Sequence, residues 1–221
     1  MEKMYYVLKE IYKNPVYYLG CISLDRLFCF VINYKQGKND RIIENTGNDK
    51  TLIDLKEFDE YVKSYYHFNC MSLAWGRIIN FYSDSDERGF YQFYELLEKF
   101  LFKKNKKEDM ILPKNLKVEK INENIRINAL LQNIRKRPKL YLGDDSLGLL
   151  YACLSAECTL LREEGTLIDW SEFQRFIEKT DHISTGQNWE KIMQLFSPSD
   201  EYALNRFFEL YDEFLKLNII T

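Results

Sequence analysis

The stretch "NIRKRPKLYLGDDSLGLL" (133–150) decides the fold, because the chain contains it twice: "EIYKNPVYYLGCISLDRL" (10–27) is its fainter copy. Residues 8–27 and 131–150, aligned at a constant offset of 123, share ten of twenty positions, Pro15/Pro138, Tyr18/Tyr141, Leu19/Leu142, Gly20/Gly143 and Ser23/Ser146 among them. A second block, 75–101 against 189–215 at offset 114, shares eleven of twenty-seven, including Trp75/Trp189 and Asp86/Asp200. Between them, "FDEYVKSYY" (58–66) pairs with "WSEFQRFIE" (170–178) at offset 112. The fall from 123 to 112 places about eleven extra residues in the polar stretch 34–50 of the first copy, where Gly, Asn and Asp mark loop or hairpin turns.

A repeat of this length sets the organisation of the whole chain. The expectation is a mainly α protein of two tandem homologous repeats, 1–102 and 121–221, joined by a lysine-rich linker, 103–120. Each half is expected to hold about four helices, and the halves to relate by pseudo-two-fold symmetry. Leu147, Leu150, Tyr151, Leu154, Cys158 and Leu161 recur at three- and four-residue spacing, the helical period. Leu204, Phe207, Phe208, Leu210, Tyr211, Phe214 and Leu215 form an apolar stripe on a closing helix. Its start is marked by Ser83-Asp-Ser-Asp86 and Ser197-Pro-Ser-Asp200, a hydroxyl three residues before a carboxylate with Pro198 in the first turn. Pro15 and Pro138 break the preceding helix, Gly20 and Gly143 permit the turn, and Ser23 and Ser146 cap the next helix. The run "LFCFVINY" (27–34) is strand-like by propensity and leaves room for a small β-hairpin in the first half.

Composition narrows the function classes. Of 221 residues, 46 % are hydrophobic and 29 % charged, the balance of a globular chain rather than a disordered one. No apolar run approaches the roughly 20 residues of a membrane span, and the N-terminus has no secretory pattern, so a cytoplasmic protein is expected. Five cysteines without a C-x-x-C pair read as reduced thiols, and only two histidines are present to help them hold a metal, so none is expected. Residues 1–139 carry 25 Lys and Arg against 19 Asp and Glu, whereas 140–221 carry 6 against 15. That split favours a cationic partner for the C-terminal half, and the acidic balance of the whole chain speaks against nucleic acid.

Two resemblances follow. "IRKRPKLYLGDDS" (134–146) resembles the segment near the start of the ATPase domain in type II topoisomerase B subunits. That family's next helix would carry a glutamate and then an Asp-Asn pair for metal and adenine. Here Glu157 is followed by Cys158, Thr159, Leu160 and Leu161, and no glycine-rich phosphate lid follows, so no cofactor and no catalytic residue is assigned. The duplicated corner together with the closing "FFELYDEF" (207–214) resembles a group of bacterial proteins identified as immunity proteins of polymorphic or contact-dependent toxin systems. The resemblance implies a stoichiometric inhibitor of one cognate toxin domain, a basic nuclease by the charge argument. Acids of the second half are then the candidate partner-binding residues: Asp144, Asp145, Glu163, Glu164, Asp212 and Glu213. The alternatives are a helical-repeat adaptor or regulatory protein binding a peptide or protein, and an unrecognised enzyme.

Overall fold

The duplicated corner is built as the sequence demands, with one addition. In a computed structural model, which describes residues 2–45, 55–68, 72–102 and 116–219, α1 (Glu2–Lys13) ends at Asn14 and Pro15 begins a one-turn helix of its own, α2 (Pro15–Leu19). Proline suits a first helical position because its missing N–H would be unsatisfied there. Gly20 closes α2 in the left-handed region (φ 77°), and the Ser23 hydroxyl accepts from the Arg26 N–H at 3.1 Å to start α3 (Leu24–Asn45). The first unit, Met1–Leu112, continues with α4 (Leu55–Tyr65), α5 (Trp75–Phe81) and α6 (Asp86–Phe102).

The second unit, Pro113–Thr221, opens with β1 (Lys117–Lys120). It then runs through α7 (Ile125–Lys136), α8 (Pro138–Leu142) and α9 (Leu147–Glu163), then β2 (Thr166–Asp169), α10 (Ser171–Thr180), α11 (Trp189–Leu195) and α12 (Asp200–Ile219). Its corner repeats the same chemistry: Pro138 begins α8, Gly143 closes it at φ 89°, and the Ser146 hydroxyl accepts from the Leu149 N–H at 3.1 Å. Six helices rather than four stand in each unit among the described residues. The corner and the tryptophan segment each add a short helix that periodicity alone does not reveal.

Three other expectations are corrected. "LFCFVINY" is helical, inside α3, because packing against α6 overrides β propensity. Strands occur instead in the second unit, where β1 and β2 pair in parallel with Lys117 opposite Thr166. The extra residues of the first copy begin as helix, since α3 runs 22 residues against 17 in α9; residues 46–50 lie outside the described ones. The closing helices are capped by Ser85 and Ser199, whose hydroxyls accept from the N–H groups of Arg88 and Tyr202 at 3.1 Å. Ser83 instead donates back to the Ile79 carbonyl, and Pro198 precedes the helix.

Each unit has its own core around one phenylalanine. Phe58 sits 5.8 Å from Trp75, 5.5 Å from Phe93 and 5.5 Å from Phe100. Phe173 sits 5.8 Å from Trp189, 5.7 Å from Phe207 and 5.3 Å from Phe214, all edge-on in both units. Trp75 and Trp189 are core anchors, 1 % and 4 % exposed. This packing moves the middle register: Phe58 corresponds to Phe173, an offset of 115, not to Trp170 at 112. The histidines follow suit. His67 and His182, 115 apart, both end their helices in the left-handed region, at φ 52° and 51°. The N–H of the residue after each reaches back five positions, Phe68 to Lys63 at 2.8 Å and Ile183 to Glu178 at 3.0 Å, the Schellman ending.

The unit boundary also changes the charge reading. The last four residues of the lysine-rich segment, Lys117–Lys120, are strand in the second unit, whereas 103–115 lie outside the described residues. Cut at Leu112, the first unit carries 17 Lys and Arg against 17 Asp and Glu, and the second 14 against 17. The apparent polarity between halves becomes a polarity inside the second unit. It is offset there by Lys120–Glu172 at 2.8 Å, Arg135–Asp212 at 2.7 Å and Lys139–Asp145 at 3.2 Å.

Candidate functional site

The candidate acids do not gather. Asp144 and Asp145 stand just before α9 and Glu163 and Glu164 at its far end, some ~25 Å apart at 1.5 Å per residue. Asp144 accepts from the Asp145 N–H at 2.8 Å, a local turn, and Asp145 pairs with Lys139. Asp212 is held by Arg135 through both oxygens, at 2.9 and 2.7 Å, and Glu213 beside it is exposed. Two of the six are therefore already engaged by basic residues of the same unit.

The paired acids of the closing helices serve the fold. Asp86 accepts from the Asp25 N–H at 3.0 Å, so the start of α6 caps the start of α3. Asp200 instead accepts from the Ser146 hydroxyl, the group that caps α9. Carboxylates at helix N-termini are stabilising because unpaired N–H groups collect there. Asp25 is the exception: burial and the nearby Asp86 carboxylate push its carboxyl above the ordinary range. Burial also raises the thiols of Cys29 and Cys158 to about 12, which makes them poor nucleophiles; Cys70 lies outside the described residues. Among the described residues, no cluster of three His, Cys, Asp or Glu side chains is placed to hold a metal.

The first unit does contain a site that sequence reasoning missed. Between α1 and α6 lies a cavity of about 460 Å³ walled by Tyr5, Tyr12, Tyr91 and Tyr94, with Lys9, Arg88, Glu95 and Glu98 at its edges. Each helix supplies its wall at helical spacing, Tyr5 and Tyr12 from α1, Tyr91, Tyr94 and Glu98 from α6. Tyr94 ties the two helices by donating to the Leu8 carbonyl at 2.8 Å, and burial holds its hydroxyl well above its usual pKa. Tyr12, 51 % exposed, lies 4.8 Å from the Tyr94 ring.

At the corresponding positions of α7 and α12, the space is occupied by the chain itself. Arg135 stands for Tyr12, Phe208 for Tyr94 and Asp212 for Glu98. The Arg135 guanidinium lies 5.5 Å over the Phe208 ring while its nitrogens hold Asp212, a cation–π contact joined to a two-pronged ion pair. The tie between helices is displaced by a turn, the Tyr211 hydroxyl donating to Asn128 Oδ1 at 2.8 Å.

A second hollow lies in the same unit. In the first unit Phe28, Ile32, Lys56, Asp59 and Trp75 line an open depression of about 290 Å³. In the second, Trp170 stacks on Trp189 at 5.3 Å and 21°. The one available signal was the exchange of Tyr12 for Arg135, but its meaning depends on a partner 77 residues away.

Compared with family models, curated proteins and solved structures, the chain matches none.

Proposed function

We propose that the protein is a binding protein of the immunity type, which attaches one to one to a cognate bacterial toxin domain and blocks it by occlusion. The observation that carries this reading is the contrast at matched helices: the second unit places its own Arg135–Phe208–Asp212 clasp between its first and last helices, while the first has a tyrosine-walled groove there. Tyrosine offers a large, rigid contact surface with a polar tip and is enriched where proteins meet. Shared positions such as Phe58/Phe173 and Trp75/Trp189 build the cores, whereas Tyr5, Tyr12 and Tyr91 of the groove stand where the second unit has Asn128, Arg135 and Asn205, so recognition of a particular partner would be written there. In the groove, a cationic partner such as a basic nuclease domain would meet the exposed Glu98.

The test is to co-express the full chain with the toxin domain encoded next to it. Restored growth and a one-to-one complex by light scattering are expected. Reversal to lysine at Asp144, Asp145, Glu163 and Glu164 should weaken the complex while leaving the helical circular dichroism intact. Continued toxicity with no complex refutes the reading.

A further inference from the structure

We propose that the groove between α1 and α6 takes an arginine side chain from the partner protein, in the way the second unit takes its own Arg135. The inference rests on the partner being a protein, the reading given above, and adds the residue chemistry that the groove recognises.

The second unit supplies the template. There a guanidinium lies 5.5 Å from the ring centre of an aromatic residue of the closing helix and is clasped by a carboxylate one turn further on, Phe208 and Asp212. The first unit keeps both receiving groups on α6, as Tyr94 and Glu98. It lacks the guanidinium, because Tyr12 replaces Arg135. Tyr12 adds a second ring beside Tyr94, so an incoming guanidinium meets two aromatic surfaces and one carboxylate.

The basic residues around the groove do not oppose this. Arg88 is drawn to Glu95 at 3.2 Å, Lys13 to Glu10 at 2.8 Å, and the Lys9 ammonium sits 4.6 Å from the Tyr5 ring centre. Glu98 is exposed and makes no ion pair among the described residues, so its charge is available to a ligand. Arginine fits better than lysine, since its planar group stacks on rings and grips a carboxylate with two parallel N–H groups.

The experiment titrates the ¹⁵N-labelled full chain with the peptide acetyl-Gly-Arg-Gly-amide and its lysine and aspartate counterparts. The arginine peptide should shift amides of Tyr5–Lys13 and Arg88–Glu98, and bind at least about threefold more tightly than the lysine peptide. Glu98→Gln should weaken it about three- to tenfold. Tyr12→Arg, at a half-exposed position, should supply the missing guanidinium internally and abolish the shifts with unchanged circular dichroism. Arg135→Ala should open the second unit and add shifts on α7 and α12. Equal binding of arginine and lysine peptides, stronger binding of the aspartate peptide, or indifference to both Glu98→Gln and Tyr12→Arg overturns the proposal. Failure of the two readings is distinguishable. Peptide binding with no toxin neutralised leaves the groove assignment standing without its biological reading. Toxin neutralised equally by wild type, Tyr12→Arg and Glu98→Gln leaves the immunity reading and removes the groove.

Discussion

The two units put the same helices to different ends. Around Phe58 and around Phe173 the rings meet at matching distances and tilts, yet at the outer helix pair one unit has a groove and the other an internal arginine clasp. Aromatic packing is exacting, since deep rings have few ways to fill a space without voids. The outer groove is under no such constraint. An exposed tyrosine and a half-exposed arginine are both compatible with the same backbone, so that position is free to diverge. Recognition is therefore expected where the scaffold tolerates change.

The comparison breaks first at the cores. If Phe58 and Phe173 are counterparts, alanine at either should cost about 3–5 kcal/mol, read as denaturant midpoints. Trp170→Ala should cost less, because Trp170 is only partly buried whereas Phe173 is fully buried. A larger loss at Trp170 than at Phe173 would restore the register of 112.

Next comes a pair that only one unit possesses. Arg206 binds Asp181 in the second unit with side chains 17 % and 7 % exposed, where the first has Gln92 and Tyr66. Asp181→Ala strands a buried cation and should cost about 3 kcal/mol, whereas replacing both partners by apolar residues should recover much of that.

The smallest effect concerns Asp25, whose counterpart is Gly148. Its folded-state pKa is raised, so the penalty is absent at low pH, grows as pH rises through the ordinary carboxylate range, and is complete above the folded value. Asp25→Asn should therefore stabilise at neutral pH, by well under ~1 kcal/mol given solvent screening, and the gain should vanish in acid. Thermal melts at neutral pH and at pH 3 check it.

Much of this frame was legible in the sequence. Pro15, Gly20 and Ser23 act within a few residues of one another, so local rules identify the corner, its turn and its cap. The stripe on the closing helix is periodic and comes out buried from Leu204 to Phe214. What stayed hidden depends on distance. The register of α4 and α10 is set by rings on two other helices of each unit, and letter-matching at 112 favoured Phe58 with Trp170. The charge split was a consequence of cutting at 139, inside α8, rather than at the boundary near 112. The groove is invisible until Tyr12 and Glu98 are seen side by side and compared with Arg135 and Asp212.

The distribution of tryptophan gives the molecule its own reporters. Trp75 is alone in the first unit, buried against Phe28 and Phe93, whereas Trp170 and Trp189 form a stacked pair in the second. A stacked indole pair couples its transitions and gives a near-ultraviolet dichroism that one indole cannot, while Trp75→Phe silences the first unit alone. The intact chain can thus be watched one unit at a time, and whether the two unfold together or in turn becomes an optical measurement.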